Sequence, residues 1–502
     1  MPYLLGLDIG TTAVKAQLYD SDSGGAVASA ARPTPTQHPR PEWAEHDPLA
    51  LWHAIAACIR ETLERAPQAR PIAALAVASM GEAGLPIDAQ GQPLAPIIAY
   101  YDPRSMPQAE RWRALMSAEQ VHAISGQILR HVFGVMKLLW LRDTQPDVMR
   151  RMGYWLSVGD FVIWQLTGRA ATDPTLASRT MLYDQRSGAW SPELLALAGL
   201  DATMLPTVLP CGSVVGGVTE RAAALTGLPV GTPVATGGHD HLCGGLAAGV
   251  TRPGEVLCSI GTAASLLVPT AQFNGGGELF RFGLSHYRYV NDCWILQAGL
   301  SAAGAAQAWL AQMLRGGTAP DDFAALEVAA AESPPGARGV LCLPHLRGSG
   351  TPMRDPDARA AFVGFTEHHG PGDMWRALVE GLAYWVRLNL TAITNATQEP
   401  IEALTLIGGG ARGALLPQAL ADITGLPVQI PAIAEASAYG AAMLAGRAVG
   451  VALPTAPIAR QCAPQQAHRT LYETLFRDAY EPLYRALAPI HRALGAATKY
   501  DV

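Results

Sequence analysis

The feature that most limits how this chain can fold is a near-repetition. Leu7-Asp8-Ile9-Gly10-Thr11-Thr12, close to the start, returns at mid-chain as Cys258-Ser259-Ile260-Gly261-Thr262-Ala263. Both copies follow an apolar stretch of β-forming residues and lead into another. Tyr3 to Ile9 passes through Gly-Thr-Thr into Val14 to Tyr19, and Glu255 to Ile260 passes through Gly-Thr into Ala264 to Val268, so each reads as a hairpin opening a domain. A length of 502 residues exceeds the ~100–200 of one ordinary domain, and two similar halves account for it. The division is expected near residue 249, where the Gly/Ala-rich Gly244 to Gly249 meets the turn signal Thr251-Arg252-Pro253-Gly254, giving domains 1–248 and 249–502.

Helical and strand signals alternate along both halves. Helices are expected over Leu49 to Glu64 behind an Asp47-Pro48 start, over Pro371 to Leu390 and over Leu415 to Gly425, and buried strands over Ile72 to Ala78 and Leu404 to Ile407; the alternation argues an α/β fold. Tyr472, Phe476, Tyr480 and Tyr484 recur every fourth residue, which at helical pitch makes one apolar stripe and implies core packing rather than chemistry. Hydrophobic residues make up 49% and charged ones 16%, which argues against disorder. The net charge of −6 is dispersed, so no basic stripe is available for nucleic acid. The 7 cysteines form no C-x-x-C pair and suit a reducing cytoplasm. No signal-like N-terminus and no apolar run near the ~20 residues of a membrane span stand in the sequence, so neither export nor a membrane partner is expected.

Three glycine clusters and two acids carry the chemistry. A tight turn of Gly and Thr between strands lets backbone N–H groups converge on phosphate oxygens, and Gly10-Thr11-Thr12 has that composition. Asp8, on the strand end beside it, suits Mg2+. The second copy supplies Gly261 and Thr262 without an acid, as expected if two loops hold one polyphosphate. The third cluster, Gly408-Gly409-Gly410-Ala411-Arg412-Gly413, matches G-x-G-x-x-G, but the following strand Leu426 to Pro431 brings no ribose-binding acid, which disfavours NAD. No G-x-x-x-x-G-K-[ST], G-x-S-x-G or H-E-x-x-H occurs, so P-loop, serine hydrolase and zinc peptidase readings lack a starting motif. Gly237-Gly238-His239-Asp240-His241 lies between the halves. Its consecutive His-Asp-His makes a poor zinc site, whereas Asp240 suits a base that accepts a hydroxyl proton during phosphoryl transfer.

In this order, from residue 3 to residue 446, the motifs resemble those of the FGGY carbohydrate kinases. Asp8 to Lys15 resembles the family's first phosphate loop, Trp43 to Pro48 its W-x-E-x-x-P segment, and Tyr100 to Arg104 its W-x-D-x-R stretch. Asp160, Leu166-Thr167-Gly168, and Thr172 to Thr175 through Leu182-Tyr183-Asp184 continue the series. Gly237 to Asp240 resembles the segment carrying the catalytic aspartate. Ser259 to Thr262 looks like the second phosphate loop, followed by Gly299 to Gly304 and by Leu343 to Pro352; Gly408 to Arg412 looks like the adenosine-binding loop and Glu435 to Ala442 the closing helix.

The resemblance implies two actin-like (ribonuclease H-like) α/β domains around a cleft, with ATP and Mg2+ as cofactors. Asp240 is implied as general base and Asp8 as metal ligand. Gly10, Thr11, Thr12, Lys15, Gly261, Thr262, Gly304, Gly408, Gly409, Gly410 and Ala411 are implied for the nucleotide, and Glu82, Tyr100, Asp102, Arg104, His239 and Asp240 for a sugar or polyol. The sequence departs from xylulokinase-like members at Ser79-Met80-Gly81-Glu82-Ala83-Gly84, where those place a Gln-Met-His stretch, and it carries Tyr100 for the family's tryptophan. A carboxylate at Glu82 accepts hydrogen bonds from hydroxyls and repels acids, which favours a neutral ketose such as xylulose or fuculose, or a polyol. A nucleotide-driven scaffold or a sugar-binding regulator is the rival reading; a homodimer stays open.

Overall fold

The computed structural model describes residues 2–314 and 323–497; Met1, 315–322 and 498–502 of the expected domain spans lie outside the described residues. In the first half, β1 (Tyr3–Ile9), β2 (Ala13–Asp20), β3 (Ala26–Pro33), helix α1 (Pro48–Arg65) and β4 (Ile72–Ser79) follow one another. Further along come the short helix α2 (Pro174–Ser178), β5 (Val214–Gly217), β6 (Pro233–His239) and α3 (Asp240–Ala247). The strands form one sheet in the order β5-β6-β4-β1-β2-β3. α1 starts where Asp47 accepts the Ala50 N–H at 2.7 Å, the cap expected ahead of a proline at N1. Its apolar positions Leu51, Trp52, Ile55, Ile59 and Leu63 fall on one side and pack against the sheet.

The second half repeats the plan. Its strands are β7 (Glu255–Ile260), β8 (Ala264–Thr270), β9 (Ser285–Arg288), β10 (Trp294–Leu300), β11 (Ala403–Ile407), β12 (Val428–Pro431) and β13 (Ile458–Cys462). Its helices include α4 (Gly304–Leu314), α5 (Pro371–Thr397), α6 (Leu415–Thr424), α7 (Ala436–Val449), α8 (Gln466–Leu475) and α9 (Glu481–Ala497). The sheet order is β9-β10-β8-β7-β11-β12-β13. Read from β3 across the first sheet and from β10 across the second, the pairings run in the same sequence: antiparallel, antiparallel, parallel, parallel, antiparallel. The repeated motif thus marks a repeated topology, and each copy sits at the turn between the first two strands of its sheet.

The packing does not divide at residue 249. The uncovered face of the first sheet is roofed by α3 and by α7, which comes from late in the chain. Both helices are rich in Gly and Ala, and this lets backbones touch. A Cβ on Gly6 of β1 would lie 1.9 Å from the Ala438 carbonyl oxygen, and one on Gly440 would lie 1.9 Å from that of Cys243. Leu4, Ala74, Ala76, Leu246, Leu257, Ile295, Tyr439 and Leu444 belong to one buried apolar cluster, a core that both halves share. At the C-terminal end, the stripe Tyr472, Phe476, Tyr480 and Tyr484 is buried, and the ring of Tyr480 stacks on Tyr384 of α5 at 4.7 Å. A π-turn over Phe476–Tyr480 joins α8 to α9 within that stripe. Among the described residues, no helix is long and apolar enough to cross a membrane.

Candidate active site

The first hairpin turn is braced from β3's end. The Gly10 N–H donates to the Ala13 carbonyl at 3.0 Å, and Thr34 donates its N–H to Thr12 and its hydroxyl to the Gly10 carbonyl at 2.7 Å. The second turn is braced by the start of α4. Ala303 donates its N–H to the Thr262 carbonyl and Gly304 to the Gly261 carbonyl, both at 2.9 Å. A Cβ on Gly304 would approach that same oxygen to 2.5 Å, so glycine is required for the close approach. Gly408, at φ 88°, and Gly410 press against Ile260, the last residue of β7, whereas the nearest atom to a Cβ on Gly409 would be 4.0 Å away. The third glycine cluster therefore abuts the second turn, with Gly409 facing open space and Ala411 closing its single 3-10 turn.

Beside the first hairpin stands a group of acids. Asp240 opens α3 directly after β6. The preceding His239 donates its N–H to the Thr175 hydroxyl at 2.8 Å, and Thr175 is held by Asp173, the N-cap of α2. The Asp240 side chain is 21% exposed and lies 3.3 Å from His239 Nε2, and it accepts the His241 N–H at 2.7 Å. Burial raises its carboxyl and Glu82 adds to this, while His241 and Arg179 oppose. Burial, reinforced by Arg179 and His241, holds His239 far below the ordinary imidazole range, and its Nδ1 has no hydrogen-bond partner among the described residues. Asp8 is pushed up to about 7 by burial, then by Asp240, against the pull of Lys15. Lys15 pairs with Glu435 at 2.6 Å, and Ser437 at the start of α7 donates to the Asp240 carbonyl at 3.0 Å. These contacts gather Asp8, Lys15, Asp240 and Glu435 at one place.

Glu82 is buried and accepts a hydrogen bond from Arg179 Nη2. Tyr100, 38% exposed, feels the charges of both Glu82 and Asp240, so its phenol borders the same space. Asp102 and Arg104, expected as substrate contacts, need correcting. Asp102 is fully buried and both oxygens are occupied: Oδ1 accepts the Arg104 N–H and Nε at 2.9 Å, and Oδ2 accepts Arg104 Nη2 and the Ala44 N–H at 2.7 Å. Arg104 also pairs with Glu45 at 2.5 Å and lies 3.8 Å over the Trp43 ring. Both Asp102 oxygens are taken up within this bracket, which fastens the strand at Glu45 to the turn at Pro103. Sequence reasoning missed Arg179, whose only signal was a single charge closing the short helix after Asp173.

Two halves of one topology, each opening on a Gly-Thr hairpin turn, with a group of acids gathered beside the first turn, define a phosphotransferase of the actin-like ATPase type. Residues 3–247 match the N-terminal domain of the FGGY family of carbohydrate kinases and residues 256–449 match its C-terminal domain. The chain belongs to that family. It is 33% identical to a glycerol kinase of Methylibium petroleiphilum over 95% of this chain and 96% of that one. It is 27% identical to a xylulose kinase of Escherichia coli over 97% and 99%. The crystal structure of a xylulose kinase from Rhodospirillum rubrum, 31% identical, covers 98% of this chain and 100% of its own with a TM-score of 0.89.

Proposed function

We propose that the protein transfers the γ-phosphoryl group of ATP to a hydroxyl of a sugar or polyol, with Asp240 as the general base. The observation that carries the reading is the setting of Asp240: partly open, at a strand-to-helix junction close to Asp8 and the first hairpin turn, with burial raising its carboxyl. In the step itself the acceptor oxygen forms a bond to the γ-phosphorus, the bond from that phosphorus to the bridging oxygen of ADP breaks, and the hydroxyl proton passes to Asp240. Because the transition state is loose, placement of the two oxygens in line contributes more than base strength. Relatives matched include glycerol and xylulose kinases, which makes a polyol or a ketose the first acceptor class to test. Pairing of Glu82 with Arg179 cancels the like-charge objection to acids, so sugar acids belong in the panel as well.

The Asp8 side chain makes no hydrogen bond or ion pair among the described residues, and its raised carboxyl fits a hard cation held directly or through water. Mg2+ takes one or two carboxylates and fills the rest of its shell with phosphate and water. Bound there, Mg2+ would neutralise charge on the phosphates.

The test is a panel of polyols, ketoses and sugar acids scored for acceptor-dependent ADP release. With the active acceptor, Asp240→Asn should lose roughly 100-fold or more in kcat with acceptor binding retained. Near-parent turnover in that folded variant would remove Asp240 from the role.

A further inference from the structure

The side chain that holds Glu82 also reaches the other half of the molecule. Arg179 Nη1 lies 3.2 Å from Gln127 Oε1 and 3.5 Å from Gln297 Oε1. Gln297 belongs to β10, in the second sheet. Its Oε1 accepts the Tyr287 hydroxyl at 2.9 Å, and its Nε2 lies 3.4 Å from the hydroxyl of Ser265. Ser265 sits on β8, just past the second hairpin turn. The guanidinium is flanked by one ring from each half, Phe133 and Tyr287, each centred 5.2 Å away. Its stem is wedged beside the catalytic loop: a Cβ on Gly81 would come within 2.8 Å of Arg179 Cγ and 2.9 Å of His239 Cδ2. One buried arginine thus touches the acceptor carboxylate, packs beside the residue before Asp240, and reaches the strand pair that carries Gly261 and Thr262.

We propose that Arg179 is a positioning residue that aims Glu82 into the acceptor space and, through Gln297, couples occupancy of that space to the nucleotide-binding half. The proposal rests on the kinase reading above. The Glu82 contact is a charge-assisted pair in a desolvated place, and such pairs are strong and costly to break. The Gln297 contact differs. At 3.5 Å it stands at the outer edge of hydrogen-bond range, so a small approach of the halves makes it and a small separation breaks it. An acceptor that draws on Glu82 shifts the guanidinium's partners, and the second hairpin feels the change through Gln297 and Ser265. Linkage requires the reverse as well: nucleotide at the second hairpin must change acceptor affinity by the same factor.

The experiment measures acceptor Kd by calorimetry, with glycerol and xylulose as probes, in the absence and presence of a non-hydrolysable ATP analogue. The ratio of the two Kd values is the coupling factor. Arg179→Met should raise acceptor Kd about tenfold or more. Arg179→Lys should recover most of that loss, since a lysine restores the charge beside Glu82 but lacks the fork that reaches Gln297. Arg179→Lys and Gln297→Leu should both bring the coupling factor toward one, and melting curves identify any variant that fails to fold. A parent coupling factor of one, or an unchanged factor in both Gln297→Leu and Arg179→Lys, overturns the link. Acceptor-dependent ADP release by the parent enzyme reports separately on the kinase reading, so a parent that turns over while the variants keep its coupling factor sinks the Arg179 proposal alone.

Discussion

Asp160 accepts the Ser157 N–H through Oδ2 at 3.0 Å, while its Oδ1 has no partner among the described residues. Burial pushes this carboxyl from 3.8 up to about 7. The folded chain therefore keeps the proton where the unfolded chain has lost it, and stability falls as pH rises through that window. Asp160→Asn does not titrate, so its stability relative to the parent should climb between pH 4 and pH 8, reaching on the order of 2–4 kcal/mol in urea titrations. A gain that does not vary with pH would refute the assignment. At Asp102 and Arg104 the expectation concerns folding: Arg104→Lys keeps the charge but loses the fork, and should lower stability by about 1–3 kcal/mol with acceptor KM within about threefold of the parent. Asp8→Asn should raise the Mg2+ concentration needed for half-maximal rate by at least about tenfold, read from initial rates. Asp8 and Asp240 could be singled out because each is an acid at a strand end beside glycines, and Glu82 because it stands where the sequence departs from the family pattern. Arg179 was not, since its partners Glu82 and Gln297 lie 97 and 118 positions away and only folding brings them together.

The glycines of the elements divide by what stands opposite them. Gly440→Ala in α7 would drive a methyl group into the Cys243 carbonyl, 1.9 Å from its ideal position, whereas a methyl on Gly244 in α3 would meet Ala436 at an ordinary 3.6 Å. The first substitution should cost about 1–3 kcal/mol and the second should be neutral or stabilising by up to ~1 kcal/mol, as thermal melts of the pair would report. In the third cluster, Gly409→Val has room in the free protein, so its melting temperature should hold while KM for ATP rises; an unchanged KM would mean that adenosine does not lie against this loop. Tyr480→Ala, which removes the ring stacked on Tyr384, should cost about 3–5 kcal/mol. Strands and helices were read closely from sequence where apolar periodicity ended at a cap or glycine. β1 and β7 keep their expected limits, and α1 starts at Asp47-Pro48. α5 runs on to Thr397, past the expected Leu390, because Ala392 and Ile393 continue its buried face. The Gly/Ala run before residue 249 is largely α3, where small residues serve close helix packing, and the expected division falls between the two matched family domains.

Across the whole molecule, each half has a core of its own, and a third buried cluster joins β1, β4, α3, α7 and β10 across the two. Calorimetry should show one cooperative transition rather than two, and the Gly440→Ala change should move all of it; a separate early transition in the parent would contradict this. The placement of α7 over the first sheet also bears on how the chain is made. A ribosome releases the strands of that sheet and α3 long before it reaches residues 436–449, so the sheet waits through much of synthesis with an apolar Ala- and Gly-lined face uncovered. Domains that fold as units during translation escape this exposure; the first half of this chain does not. Expressed alone, residues 1–248 should gather in the insoluble fraction, and co-expression of residues 249–502 should return them to the soluble one.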